Sequence, residues 1–205
     1  SQTQRRHVKS HTAFDGIPVW PDLRYITVYR HPIYIFFSLR KHMENMVRDM
    51  DNDSTAADLR AAFAFFVSNE DITKTSITTI VNHFKNTLAL EPAENQLRLH
   101  YADMTRDLPS TFAAVSQHIG ISHPETVMQT LIVAADFKNM QKNAARFAPG
   151  AGLGIWKSDA GFFDSATSNK WEGILTESDL QAYAARMDSL ITPEQRHWLE
   201  WGAMA

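Results

Sequence analysis

The sequence predicts an α/β fold: a three-layer arrangement in which a mostly parallel sheet is flanked by helices. Three observations carry that prediction. Tyr25-Ile26-Thr27-Val28-Tyr29 is a β-branched and aromatic run that reads as a buried strand. Gln96 to Tyr101 alternates polar and apolar residues, as a second strand does. Between and after them stand stretches whose apolar residues recur at helical spacing, and strands separated by helices pair in parallel.

Taken in order, the segment from Ser1 to Pro21 carries Arg5, Arg6, His7, Lys9 and His11, then Pro18 and Pro21, and reads as an extended arm passing into a loop. The first strand stops at Arg30-His31-Pro32. Pro32 suits the first turn of a helix, where its missing N–H is no loss, and Ile35, Leu39, Met43 and Met46 continue an apolar face to about Met50. Asp51 to Thr55 forms a turn and N-cap cluster before a helix through Leu59, Phe63, Phe66 and Val67. Ser76 to Leu88 is a further helix with Ile80, Val81 and Phe84 inward. After the second strand, one helix covers Thr105 to Ile119 and ends at Gly120, a C′ residue. Pro124 opens another, reaching about Ala135. Thr176-Glu177-Ser178-Asp179 is an N-cap with an acidic first turn for a helix through Leu180, Tyr183 and Met187, and Pro193 begins a last one. There is no internal repeat and no linker composition, so residues 1–205 are expected to form a single domain.

Composition narrows the function. The 20 Lys and Arg stand against 23 Asp and Glu, a formal charge of −3, so no overall basic field points to nucleic acid. Any anion must be gripped locally. The absence of cysteine excludes disulfides, thiolate chemistry and Cys-based metal sites. Apolar runs such as Ile33 to Phe37 and Ala61 to Val67 fall far short of the ~20 residues a bilayer span needs. Ser1 to Lys9 is polar and basic, unlike a secretory signal. The expectation is a soluble cytoplasmic protein with no membrane and no nucleic-acid partner.

Arg30 follows the carboxyl end of a strand, where ligands settle in open α/β sheets, and Ser38 lies eight positions on in the next helix. A guanidinium fork and a hydroxyl suit a phosphate. The same residues also suit a surface ion pair and a small helix position. Lys9 and His11 stand two apart, so in an extended segment both project from one face, as a general base beside a fixed cation or as part of a solubilising arm. No pair of His at i, i+4 has a carboxylate beside it, so no metal is expected. From Met140 to Trp171 regular periodicity fails and glycines are scattered among aromatics. The stretch 141–170, with Phe147, Trp156, Phe162 and Phe163, is expected to be a lid over an aromatic or apolar acceptor, or a surface loop whose aromatics pack on the core.

In order, these segments resemble the carboxyl-terminal two-thirds of the cytosolic-type sulfotransferases. That family moves a sulfuryl group from 3′-phosphoadenosine 5′-phosphosulfate (PAPS) to an acceptor and releases PAP. Arg6-His7-Val8-Lys9-Ser10-His11 is similar to the family's "K-T-H" strand, which implies that Lys9 contacts the transferring group and that His11 is the catalytic base. Tyr25 to Ser38 resembles the 3′-phosphate motif, a strand ending in Arg with Ser eight positions later; this implies 3′-phosphate contacts from Arg30 and Ser38. Leu99 to Met104 resembles "F-Y-E-D-M", which implies Tyr101 at the adenine, and Asp136 to Asn143 resembles "S-F-K-E-M-K-K-N", which implies Phe137 packed on it. Phe162 to Thr176 resembles "F-M-R-K-G-x-x-G-D-W-K-x-x-F-T", with Phe162, Trp171 and Thr176 in register.

The resemblance implies a P-loop-transferase-like sulfotransferase fold, a small-molecule acceptor with a hydroxyl or amine, PAPS as donor and no metal. It also has departures. Family members begin with a P-loop-like "P-K-S-G-T-T-W" segment, and nothing here resembles it, so the expectation is that the amino-terminal part is absent from this chain; a relic unable to bind donor in the usual way is the alternative. Asp164, Ser165 and Ala166 stand at the "R-K-G" positions, so Ser165 and Thr167 are the expected substitutes at the 3′-phosphate. Ala135 replaces the Thr that precedes the adenine Phe. The dimer motif "K-x-x-x-T-V-x-x-x-E" is not matched around Glu172 to Gln181, which leaves the oligomeric state open. The rival readings are a degenerate nucleotide-binding or interaction module of the same fold, and another nucleotide-dependent transferase.

Overall fold

A computed structural model describes residues 5–47, 58–90, 92–163 and 170–203. Its centre is a parallel pair of strands, β1 (Tyr25–Tyr29) and β2 (Gln96–His100), in a register that runs from Tyr25 opposite Gln96 to Tyr29 opposite His100. Parallel neighbours need a long crossover, and here it contains α1 (Pro32–Glu44), α2 (Leu59–Ser68) and α3 (Ile77–Leu88). After β2 come α4 (Tyr101–Arg106), α5 (Leu108–Ile119), α6 (Glu125–Ala135), α7 (Phe137–Lys142), α8 (Ala144–Phe147), α9 (Glu177–Leu190) and α10 (Pro193–Trp201).

Local chemistry fixes most of these boundaries. His31 caps α1, Asp58 caps α2 through the N–H groups of Arg60 and Ala61, and Ser76 with Thr79 closes a capping box on α3. The same reciprocal box opens α9 (Thr176 with Asp179) and α10 (Thr192 with Gln195). The cap cluster expected at Asp51 to Thr55 lies outside the described residues. Gly120 takes φ +63°, a left-handed turn that ends α5 as expected.

Three boundaries and the burial of one strand differ from the sequence reading. Helix α1 ends at Glu44, because Asn45 and the residues after it turn away to pair with a later loop, Met46 forming an antiparallel bridge to Trp156. Tyr101 opens a helix and is not the last strand residue, since the ring of His100 accepts a hydrogen bond from Ala102 N–H and starts α4. The single helix expected from Thr105 to Ile119 is broken at Asp107, which caps α5, and Pro109 in the first turn of α5 cannot continue the preceding ladder. The fourth concerns β1, which was expected to be buried but covers only one face: Tyr29 is buried while Ile26 and Val28 are 40% and 54% exposed.

On the covered face the core is aromatic. Phe36, Phe63, Phe66 and Phe84 meet Tyr29, Met187 and Leu199 from α1, α2, α3, α9 and α10. Phe36 and Phe63 pack edge to face at 5.2 Å, and Phe84 stacks on Trp198 at 5.4 Å, geometries that add to simple burial. A second, smaller cluster gathers Ala144, Ala148 and Phe163 with Phe137, Met140 and Phe162. It ties α7 and α8 to the loop that follows.

Candidate functional site at the carboxyl edge of the sheet

Because Tyr29 and His100 are register partners, the residues that follow them leave the sheet side by side. Arg30 therefore meets Tyr101: the guanidinium carbon lies 4.4 Å from the centre of that ring and 6.0 Å from the ring of Tyr34. A cation over an aromatic face at this distance is held in plane as well as attracted. On either side a buried histidine caps the next helix. His31 Nδ1 accepts from Ile33 N–H, and His100 Nδ1 accepts from Ala102 N–H, both at 3.2 Å. His100 Nε2–H donates to the Leu199 carbonyl at 3.1 Å, which fixes its tautomer.

A ring that accepts from a backbone N–H must be neutral at that nitrogen. Burial, with smaller contributions from His100, Arg196 and Arg30, lowers His31 to a pKa of about 3. His100 is likewise lowered, chiefly by burial. The cation at this edge is thus Arg30, flanked by two neutral caps.

Tyr34, Ser38 and His42 recur every four residues along α1 and share one side of it. Ser38 is half-buried on that stripe, one turn beyond the Tyr34 ring that flanks Arg30. His42, a turn further, is lowered by burial and, to a smaller extent, by the charge of Lys9. The stripe therefore begins with the ring beside Arg30 and ends at the residue whose pKa Lys9 helps to lower. On a different helix, His83 of α3 has a lowered pKa, with burial the first cause, Asp15 opposing it and His11 a smaller contribution. His83 Nδ1 hydrogen-bonds the Tyr29 hydroxyl at 2.9 Å. Lys9 and His11 are both exposed and lie in no strand, so sheet pairing does not fix a common face for them.

The aromatic residues expected to form the lid divide. Trp156 and Phe162 close on His42, at 4.5 Å and 5.1 Å between ring centres, and on each other at 5.3 Å. Phe163 is buried in the small core, edge-on to Phe137 at 6.3 Å, so the ring expected at the adenine is engaged there. Phe147 faces outward beside Arg146. Ser165, Thr167 and Asp164 lie outside the described residues.

The loop is latched to the end of α1. Asn45 Nδ2 donates to the Ser158 carbonyl at 2.9 Å, Ser158 N–H donates to Asn45 Oδ1 at 3.1 Å, Lys157 N–H to the Asn45 carbonyl at 2.7 Å, and Lys157 Nζ to the Glu44 carbonyl at 2.7 Å. A Cβ at Gly161 would meet Asn45 Oδ1 at 2.8 Å, so the latch needs glycine there. The sequence reading missed His31, His100, His42 and Asn45. Only His31 carried a local signal, since the residue before a proline at the first helical position is the cap.

A parallel strand pair with a cation at its carboxyl edge and a helix leading away is the arrangement in which open α/β folds bind ligands. The chain belongs to the sulfotransferase domain family, whose profile matches residues 1–194. A glycolipid sulfotransferase of Mycobacterium tuberculosis is 22% identical over 98% of this chain and 71% of its own length; one from Mycobacterium bovis is 30% identical over 53% of this chain and 33% of its own. Mouse sulfotransferase SULT7A1, solved with PAP, has a TM-score of 0.73 at 15% identity, covering 95% of this chain and 69% of its own. Retinol dehydratase, solved with androsterone and PAP, has a TM-score of 0.72 at 18% identity, covering 94% of this chain and 55% of its own. The chain thus matches between a third and seven-tenths of the length of the relatives named here. Among the described residues no helix is long and apolar enough to cross a membrane.

The donor set at the edge fits one end of PAP. Arg30 brings charge and a planar fork, and Ser38 a hydroxyl on the helix that follows, which are what a phosphate monoester needs. The ring of Tyr101 presents one face to that fork.

Proposed function

We propose that this domain binds PAPS through its 3′-phosphate and transfers the sulfuryl group to an acceptor hydroxyl. The observation that supports this most is the Arg30 guanidinium stacked 4.4 Å over Tyr101 at the mouth of two parallel strands, with Ser38 on the helix that starts there. Arg30 and Ser38 hold the 3′-phosphate, which sets the donor's position and supplies much of the rate by orientation. Tyr101 and Phe137 border the adenine, and Ser165 and Thr167 add hydroxyl donors at the same phosphate. His11 takes the acceptor's proton as its oxygen attacks sulfur. The bond from sulfur to the phosphate oxygen of the donor breaks, that oxygen keeps the electron pair, and Lys9 neutralises the charge it gains. Trp156 and Phe162 form the acceptor-side wall, latched to α1 by Asn45.

Thermal shift with PAP and with ADP tests the donor. At a hundredfold excess over Kd, PAP should raise Tm by roughly 5–10 °C, and ADP, which lacks the 3′-phosphate, by much less. Equal shifts would point to another nucleotide-dependent transferase. A second reading, PAP binding without transfer, is favoured by the exposure of Lys9 and His11 outside any strand. A transfer assay with PAPS and a panel of phenols, steroid alcohols and glycolipids separates the two, since binding without turnover on any acceptor supports the second.

A further inference from the structure

Residues 137–157 carry four cations and no carboxylate, in a chain whose formal charge is −3. Helices α7 and α8 bury Ala144 in the small core, pack the half-buried Phe137 and Met140 against it, and leave Lys138, Lys142 and Arg146, each four positions apart, exposed. Beyond them the chain makes an apolar tip. Gly150, Gly152 and Gly154 take φ of +69°, +73° and +69°, and the side chains of Leu153 and Ile155 fold over Gly150, where a Cβ would meet Ile155 Cδ1 at 2.5 Å. Leu153 is 76% exposed, and Ile155 and Phe147 are 38% and 37% exposed.

The tip is held in this shape from below. Trp156 Nε1–H donates to the Pro149 carbonyl at 2.7 Å, and Val47 N–H to the Ile155 carbonyl at 2.9 Å, while the Trp156 ring packs inward on His42. An exposed leucine on a braced turn, in a segment whose Lys138, Lys142 and Arg146 are exposed and whose nearest acids, Asp136 and Asp159, lie at its two ends, is complementary to a surface that is apolar underneath and anionic on top. Bracing also means little order is lost on docking.

We propose that the 137–157 segment docks on an anionic lipid surface. Leu153 and Ile155 enter the boundary between headgroups and acyl chains, and Lys138, Lys142 and Arg146 lie on lipid phosphates. This is peripheral attachment, and it needs no spanning helix, none of which occurs among the described residues. It is independent of the donor assignment, because it is measured without nucleotide.

Co-sedimentation of the whole chain with vesicles of phosphatidylcholine, with and without phosphatidylglycerol, tests it. Binding is expected to the anionic vesicles only and to weaken with added salt. Leu153→Asp should lower partitioning on the order of tenfold, and Lys138→Glu with Lys142→Glu by about 25-fold or more, since each cation near an anionic surface is worth about a fivefold change. Both variants change exposed side chains and should keep wild-type Tm and PAP affinity. The proposal is overturned if the wild type ignores anionic vesicles or if the variants bind as it does. It is overturned as well if the wild type forms dimers that Leu153→Asp abolishes without any vesicle binding, which would assign the tip to a second copy.

Discussion

The carboxyl edge of the sheet and the amino-terminal Lys9–His11 segment are both assigned to chemistry, yet they are held in opposite ways. Arg30 is fixed by strand register, by the Tyr101 ring and by two capping histidines at most 5% exposed. Lys9 and His11 are exposed, pair with no strand and bear on different helices. On the proposed reading, donor recognition is built into the backbone, whereas the alignment of base and cation depends on what docks against the arm. Binding and turnover should separate under mutation.

The strongest way to sharpen that contrast is His11→Ala. Loss of a general base costs ~10²–10⁴-fold, so turnover should fall by that factor while PAP affinity stays unchanged. Steady-state rates beside calorimetric titration read both. Wild-type turnover in the variant would remove His11 from the mechanism.

The buried side of the comparison should show in the pH dependence of stability. Folded His31 stays neutral down to about pH 3, but in the unfolded chain it takes a proton near its ordinary value of 6.5. Between those values the unfolded state binds more protons, so stability falls as pH drops, by up to about 1.4 kcal/mol per unit for this group, and is insensitive to it at higher pH. His100, also lowered, adds in the same direction. His31→Asn keeps a capping acceptor and removes the titration, so urea melts across this range should show a flatter profile.

A smaller effect is expected at the latch. Asn45→Ala deletes two hydrogen bonds to Ser158, releasing the loop that carries Trp156 and Phe162. The acceptor KM should rise by roughly tenfold with PAP affinity unchanged, as the loss of a net hydrogen bond or two implies. A change in PAP affinity instead would mean that the loop serves the donor. Least of all, Tyr101→Leu removes the aromatic shelf under Arg30 and should weaken PAP a few-fold, in line with a partly exposed cation–π contact.

Much of this architecture was legible in the sequence. The strand at 25–29, the proline that starts α1, the cap at Thr176 and the turn at Gly120 are local signals, and locally determined elements formed where those signals stand. The family and the strand-Arg-helix-Ser spacing were legible for the same reason. What escaped was set by distant partners. Asn45 ends α1 because residues 155–158, more than a hundred positions later, offer it a better pairing than another turn of helix. The division of Trp156 and Phe162 from Phe163 and Phe147 follows from two cores that periodicity does not distinguish. Ile26 and Val28 read as buried because a β-branched run does not reveal that only one of its faces is covered.

The central claim is that Arg30 reads a 3′-phosphate. Titration of wild type and Arg30→Met with PAP and with adenosine 5′-phosphate, which lacks that group, tests it most directly. A charge-assisted, two-pronged contact predicts a loss of roughly 30–100-fold for PAP and almost none for adenosine 5′-phosphate. Equal losses for both ligands, or none for either, would contradict it.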